Sequence, residues 1–383
     1  MIIKNPDLTI LLPCLNESET LSICIAKAKK SLELSGLIGE ILVADNGSTD
    51  GSQGIALALG ARVIDVATKG YGVTLISGIN SARSEWIIMA DSDDSYALDE
   101  LELFIQALKD GNDLVIGNRF KGGIYPGAMP WLHKYLGNPV LSALGRKFFE
   151  VPIYDFHCGL RAFKTEPIKR LNLKSNGMEF ASEMIVKAAI NKLIIKEVPT
   201  TLKPDGRTRK PHLKTWSDGW RHLVFLLLAS PKWLFFYPGL FIFISSATGI
   251  GFLLNGPLNL YSLQFNLNSM LFLIGALLLS TQIMFFGFLS NIFLMNNGLL
   301  PKSNFIQRLD RILSIEKGSA IGVLLLTFSL FGFVLLLNHW NGNSLSGISM
   351  NDAIRISGLI ILTSSLGIQI IFVSFFSKML QNK

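Results

Sequence analysis

Charge is scarce in this chain. Of 383 residues only 16% are charged while 49% are hydrophobic, a balance too apolar for a single ordinary water-soluble domain. Cysteine is rarer still. Cys14, Cys24 and Cys158 make an odd count without metal-site spacing, which excludes a disulfide scaffold and a zinc finger and suits packed free thiols in a reducing compartment. The start lacks the basic stretch, apolar segment and small-residue cleavage site of a secretory signal, because Pro6 and Asp7 interrupt it; the N-terminal part is expected to stay cytoplasmic. No internal repeat is evident. The aromatics gather toward the C-terminus instead of interleaving with basic residues. The net charge of +7 therefore points to anionic headgroups or phosphorylated substrates, not nucleic acid.

The apolar excess is concentrated. Residues 1–215 have globular composition, 216–235 read as an aromatic interfacial helix (Trp216, Trp220, Trp233), and 236–383 hold four runs near the ~20 residues that cross a bilayer. These spans fall at about 236–254, 268–295, 320–337 and 356–376 and contain no Asp, Glu, Lys, Arg or His, so the usual mark of a transporter is missing. The loop 255–266 has no Lys or Arg, whereas the next carries Lys302, Arg308, Arg311 and Lys317. The positive-inside rule then puts this second loop, and the C-terminus with it, in the cytoplasm. Such helices leave room for a homo-oligomer.

Within the first region the apolar run Ile87–Ala90 stops at Asp91-Ser92-Asp93-Asp94, three acids in four residues. Acids placed where a buried strand leaves its sheet sit at the edge where open α/β sheets bind ligands. Asp91 and Asp93 on one tight turn suit a hard cation such as Mg²⁺ or Mn²⁺ that also grips a diphosphate, with Asp94 or water completing the shell. An isolated D-x-D is more often a solvated turn; here two other strand ends are polar as well. Leu8–Leu12 is followed by Pro13-Cys14-Leu15-Asn16-Glu17 and Glu40–Ala44 by Asp45-Asn46-Gly47-Ser48-Thr49-Asp50. Alternating strands and helices up to about Gly117, including a turn at Lys69-Gly70-Tyr71-Gly72, predict a mainly parallel, doubly wound sheet. Arg119 follows another expected strand, and 129–152 mixes aromatic and basic residues in a pattern that suits a membrane interface.

In these three strand ends, P-x-x-N-E, D-[DN]-G-S-x-D and D-x-D in order, the sequence resembles the GT-A glycosyltransferases of family 2. Asp155-Phe156-His157-Cys158-Gly159-Leu160-Arg161 is similar to the D-x-x-[CS]-G-[FL]-[RK] segment of polyprenyl-phosphate sugar synthases of the dolichyl-phosphate mannose synthase type. The resemblance implies a GT-A catalytic domain ahead of an all-α membrane domain, and inverting transfer of a hexose from a nucleotide-diphosphate sugar to a membrane polyprenyl phosphate in cell-envelope glycan synthesis. It implies Mg²⁺ or Mn²⁺ as cofactor. It places the nucleotide sugar on Pro13, Asn16 and Glu17, on Asp45, Asn46, Gly47 and Ser48, on Lys69 and Gly70, and on Asp91 and Ser92. Asp91, Asp93, Arg119 and Arg161 become the catalytic set, and Arg119, Arg161, Arg207, Lys210 and Lys214 the phosphate ligands. Two departures stand out. Ser95 replaces the glutamine of D-x-D-x-Q, which leaves the donor hexose open, and Arg207–Lys214, within the basic segment 203–214, lacks the glycine and serine of the family's R-x-x-G-x-S-K loop. A hydroxyl acceptor, or a non-catalytic scaffold or flippase, are the alternative readings.

Overall fold

The structure, a computed structural model, describes residues 6–208, 215–254, 256–261, 263–340 and 350–381. Its contacts divide the chain into two units, Met1–Leu226 and Leu227–Lys383.

The first unit alternates strands and helices: β1 (Leu8–Cys14), α1 (Leu21–Ser35), β2 (Gly39–Asp45), α2 (Ser52–Ala58), β3 (Arg62–Asp65), α3 (Tyr71–Ser81), β4 (Trp86–Met89), α4 (Glu102–Lys109) and β5 (Leu114–Asn118). Then come a one-turn α5 (Arg119–Gly122), α6 (Asn138–Phe149) entered through a π-helical turn at His133–Gly137, β6 (Arg161–Lys164), α7 (Thr165–Arg170), α8 (Phe180–Ile190), β7 (Ile195–Pro199) and α9 (Thr215–Leu228). The seven strands form one sheet in the order β3-β2-β1-β4-β6-β5-β7. All ladders are parallel except those of β6, which runs antiparallel to both β4 and β5.

Continuous apolar strands dictate helices on both faces. Ile10, Leu11 and Leu12 are fully buried, as are Leu42, Val43, Ile87 and Ile88, because neither face of these strands meets water. α1 turns Leu21, Cys24, Ile25 and Ala28 inward at helical spacing, and α4 does the same with Phe104, Ile105 and Leu108. α3 reaches β1 closely through Gly78, where a Cβ would stand 2.3 Å from Leu11. The chain winds outward from β1 through β2 to β3 and then returns to β4 on the other side of β1. That reversal opens a crevice at the carboxyl ends of β1, β2 and β4, the place where a doubly wound sheet takes ligands. β6, being antiparallel, brings the loop before Arg161 to the same edge.

β6 and β7 are not legible in the sequence. β6 is short and charged at both ends, and its end charges are met inside the fold: Lys164 pairs with Asp113 at 2.9 Å, and Arg161 meets backbone carbonyls. β7 is an edge strand, Ile-Lys-Glu-Val-Pro, whose proline and charges suit an edge and hide the strand pattern.

The second unit comprises α10 (Tyr237–Leu254), a hairpin of β8 (Leu258–Leu260) and β9 (Leu263–Phe265), α11 (Leu267–Asn296), α12 (Asn304–Ile312), α13 (Ile315–Trp340) and α14 (Met350–Gln381). Four helical stretches are long and apolar enough to cross a membrane: Lys232–Leu254, Leu267–Asn296, Ile315–Asn338 and Asn351–Gln381. Most extend a turn or more beyond the apolar runs, because backbone hydrogen bonding carries the helix on past the last apolar residue. α13 and α14 approach through Gly322 and Gly367, where a Cβ on Gly322 would lie 2.6 Å from the Gly367 carbonyl, the close packing that small residues allow between membrane helices. The hairpin and the short α12 have no apolar run of span length to announce them.

The central place of β6 gives a direct check. Phe163 is fully buried where β6 pairs with β4 and β5 at once. Phe163→Ala should lower the unfolding free energy of the first unit by about 3–5 kcal/mol, read as a lower denaturant midpoint of the purified full-length protein in detergent.

Candidate active site

The carboxyl ends of β1 and β2 are sewn together by side chains. The Asn16 N–H donates to Ser48 Oγ at 2.8 Å, the Thr49 N–H donates to Asn16 Oδ1 at 2.8 Å, and the Glu17 N–H donates to Ser52 Oγ at 2.9 Å. Asn16 takes a left-handed conformation (φ 59°), which asparagine tolerates. Asp45, expected to face a nucleoside, is fully buried and accepts from the backbone N–H groups of Gly47 and Ser48 at 3.0 and 2.9 Å and from Gln53 at 2.7 Å. Burial pushes its carboxyl up, but these bonds outweigh burial and hold it below the ordinary value. Asn46 reaches across to the next loop, donating to the carbonyls of Val66 and Thr68 and accepting from the Gly70 N–H at 2.9 Å. Lys69 caps the turn by donating to the Asn46 carbonyl. Pro13 leads into this edge from β1, and its carbonyl accepts from Ser92 Oγ at 2.7 Å, tying β1 to the acidic turn.

Asp91 and Asp93 lie together after β4. Asp91 accepts from the Tyr71 hydroxyl at 2.9 Å, and burial together with the neighbouring Asp93 charge pushes its carboxyl up to about 6. Gly159 backs it so closely that a Cβ there would stand 2.4 Å from Asp91 Oδ2. Asp93 accepts from Ser95 Oγ at 2.6 Å and, on its other oxygen, from Arg207 Nη2 at 2.6 Å. Arg207 also donates to Glu17 at 3.0 Å and pairs with Asp205 at 3.1 Å. Its segment is fastened to the edge by the Lys203 N–H on the Ser95 carbonyl, the Gly206 N–H on the Asp93 carbonyl, both at 2.9 Å, and Thr208 on Glu19. A cleft of about 330 Å³ opens between Asn16, Glu17, Glu19, Thr49, Asp50 and Arg207.

The other expected cations are placed differently. Arg119 forks onto Asp155 with two bonds of 2.7 Å and is nearly enclosed. Arg161 is fully buried and donates to the carbonyls of Cys158, Ala181 and Phe156 at 2.9, 2.7 and 2.8 Å, so it holds the 156–160 loop against α8. Asp94 (φ 61°) turns to Lys27 and away from the Asp91 side. Lys210 and Lys214 lie outside the described residues.

Sequence reasoning missed several contributors. Tyr71 had only its place between two glycines as a signal, and Gln53 and Asp205 had none. A buried imidazole pair also lies beside this edge: the His157 and His222 rings meet edge to face with centroids 4.4 Å apart, and Ser182 Oγ lies 2.8 Å from His222 Nδ1. Neither nitrogen of His157 has a partner among the described residues. Burial, with the positive charge of nearby groups, holds His157 well below its usual range, and burial lowers His222 to about 4.

Residues 9–171 match the glycosyl transferase family 2 model, and residues 288–381 match the family 2 C-terminal transmembrane region. The low-salt glycan biosynthesis hexosyltransferase Agl6 of Haloferax volcanii is 33% identical over 377 residues, covering 97% of this chain and 88% of that protein. The chain belongs to glycosyltransferase family 2. A dolichyl-phosphate hexose transferase of the same organism is 27% identical over 193 residues, covering 50% of this chain and 81% of its own. Among solved structures, a glucosyl-3-phosphoglycerate synthase of Mycobacterium tuberculosis in complex with Mn²⁺, UDP and glucosyl-3-phosphoglycerate shows a looser likeness. Its TM-score is 0.46 at 19% identity, covering 58% of this chain and 79% of that one.

This family 2 glycosyltransferase carries its acidic edge on a GT-A sheet, ahead of a membrane-spanning C-terminal region. Two of its features can be measured. Arg207 occupies Asp93, one of the two carboxylates expected from the sequence to hold a metal, so Arg207→Ala should tighten binding of free Mn²⁺ in the absence of nucleotide several-fold, read by the decrease of the free-ion electron paramagnetic resonance signal. The histidines set an acid limit. A group whose folded pKa lies below its unfolded value of ~6.5 contributes stability that is lost as pH falls. For His222 the window runs from there down to about 4. Over it the loss should reach up to about 3 kcal/mol, and His222→Asn should flatten the fall of the thermal midpoint in that window.

Proposed function

We propose that this protein transfers a hexose from a nucleotide-diphosphate sugar to a membrane-embedded polyprenyl phosphate, with inversion at the anomeric carbon. The observation that carries the donor side is the convergence of the three polar strand ends on one edge, with Asp91 and Asp93 facing the cationic Arg207 segment. In this reading the Asp45–Ser48 turn and Asn16 receive the nucleoside, the turn being shaped by Asp45 rather than contacted through it. Lys69 and Gly70 close that side.

The edge fits a divalent cation. Its donors are carboxylate oxygens, and a guanidinium already rests on Asp93 and Glu17 where positive charge is needed. Among the described residues no three such side chains are grouped closely enough to hold a metal alone. Asp91 and Asp93 would hold Mg²⁺ or Mn²⁺ with oxygens of the diphosphate and water, and Asp94 would stay with Lys27. When bound, the ion would offset charge developing on the departing nucleotide diphosphate.

The chain's own residues orient the reactants. Arg207 leaves the carboxylates for the diphosphate, where its planar fork pairs with phosphate oxygens, and Tyr71 and Gly159 fix Asp91. Arg119, set by Asp155, supports the acceptor side; Arg161 acts as a strut for the loop beneath it and takes no phosphate role. A phosphate oxygen of the acceptor then forms the bond to the anomeric carbon as the bond to the nucleotide diphosphate breaks. No proton has to be removed, because a phosphate monoester is largely dianionic above a pKa of ~6. A hydroxyl acceptor would need a positioned base. Glu183, one candidate, is held by Lys187 at 2.7 Å and by the N–H groups of Lys174 and Ser175.

The membrane-spanning region and the similarity to a dolichyl-phosphate hexose transferase support a lipid acceptor. We place the catalytic domain and the Lys302–Lys317 loop on the cytoplasmic side, with the segment 216–235 lying along the bilayer. Purified protein given a panel of labelled nucleotide sugars should glycosylate undecaprenyl or dolichyl phosphate at least a hundredfold faster than the corresponding polyprenol. Comparable transfer to the alcohol, or loss of turnover in a Glu183→Gln variant that folds and binds donor, would reject the phosphate acceptor.

A further inference from the structure

The second unit carries few charges, and they are distributed with a purpose. At the ends of the spans joined by residues 341–349, the described charges Asp352 and Arg355 neutralise each other at 2.8 Å. At the other end lies α12. Its inner face, Ile306 and Leu309 continued by Leu313, packs on Phe288, Ile292 and Val373 of α11 and α14. Its acid, Asp310, also points inward, accepting from Ser377 Oγ at 2.7 Å and Gln381 Nε2 at 2.8 Å. The outer face presents Arg308 and Arg311 between Phe305 and Ile312, which are 58% and 53% exposed, with Lys302 just before the helix. Among the described residues no carboxylate pairs with either arginine; Arg311 has one weak bond, to the Gln307 carbonyl at 3.4 Å.

The depth of this face is marked by aromatics. The Phe305 ring lies 6.2 Å from Phe236, beside the Trp233–Tyr237 pair at the start of the first span. Such belts sit at the headgroup level. By that marker, two guanidiniums without a carboxylate partner among the described residues would lie at headgroup depth, on a helix that Asp310 fixes from behind. We propose that the outer face of α12, with Lys302, is a binding site for the phosphate headgroup of an anionic phospholipid. Arginine forks match phosphate oxygens, and Phe305 and Ile312 flank them where glycerol and upper acyl chain would lie; an acidic protein segment would leave these two side chains in water. The inference is independent of the catalytic reading.

The test uses the full-length protein in nanodiscs of mixed phosphatidylcholine and phosphatidylglycerol, with retained lipid counted by mass spectrometry after detergent exchange. Wild type should retain phosphatidylglycerol preferentially. Near a bilayer each arginine is worth about a fivefold preference, so Arg308→Gln with Arg311→Gln should reduce it about twenty-fivefold, while Arg355→Gln, at the other end, leaves it unchanged. Should the double variant fail to fold, the single changes Lys302→Gln and Arg308→Gln are each expected to give about fivefold. Equal retention of the two lipids by wild type, or an undiminished preference in the folded variants, would overturn the proposal. With polyprenyl phosphate added to the same nanodiscs, its preferential retention over phosphatidylglycerol, abolished by the same variants, would also overturn it, since the site would then belong to the acceptor.

Discussion

The constraint on which the first unit turns is electrostatic. Asp91 lies partly exposed beside Asp93, and the loss of solvation at its carboxylate together with repulsion from the Asp93 charge pushes the Asp91 carboxyl up to about 6. Such a pair calls for positive charge. The protein supplies it from a distant part of the chain, through Arg207 on Asp93 and Glu17, and that contact folds the 203–208 segment back over the sheet edge. The sheet reversal makes the crevice, the strand ends bring the acids into it, and the acids hold the segment that covers it. A nucleotide diphosphate arriving with a divalent ion would satisfy both partners at once, carboxylates by the ion and guanidinium by phosphate, so exchange need not leave a charge unpaired.

Much of the edge was legible from the sequence because backbone rules place it there. A buried parallel strand is continuously apolar, so its end shows as an abrupt polar switch, and the switches after Leu12, Ala44 and Ala90 mark β1, β2 and β4 in the structure. What an individual side chain does at the edge is another matter. Asp45 and Arg161 carry charges that a sequence reading turns toward ligand, yet one is absorbed by its own turn and the other by backbone carbonyls. A buried ionised side chain of either kind has to be hydrogen-bonded, and most of the partners here are main-chain groups that leave no trace in the sequence. Tyr71 and His222 were hidden for a related reason: their contacts join elements far apart in the chain, Tyr71 to Asp91 and His222 to Ser182.

In the second unit the solvent imposes different rules. Apolar length alone announces the four spans, since lipid demands it, and the small residues Gly322 and Gly367 set the close approach of α13 and α14. Charge enters mainly at span ends, where its partners are few. Asp310 turned inward and arginines turned outward on the same short helix sort the two signs by what each meets, protein hydroxyl and amide on one side and the exposed outer face on the other. In the two proposals the same chemistry would serve both units, arginine against anionic oxygen.

The central claim is that the Asp91–Asp93 edge binds the diphosphate of a nucleotide sugar together with a divalent ion. It is tested most directly by electron–nuclear double resonance on Mn²⁺ added to the full-length protein with a nucleotide-diphosphate sugar. The account predicts a phosphorus coupling that shows bound phosphate on the ion, present in wild type and lost in Asp93→Asn, with the Asp93→Asn protein still folded. A phosphorus-coupled Mn²⁺ signal that persists unchanged in both Asp91→Asn and Asp93→Asn would contradict it.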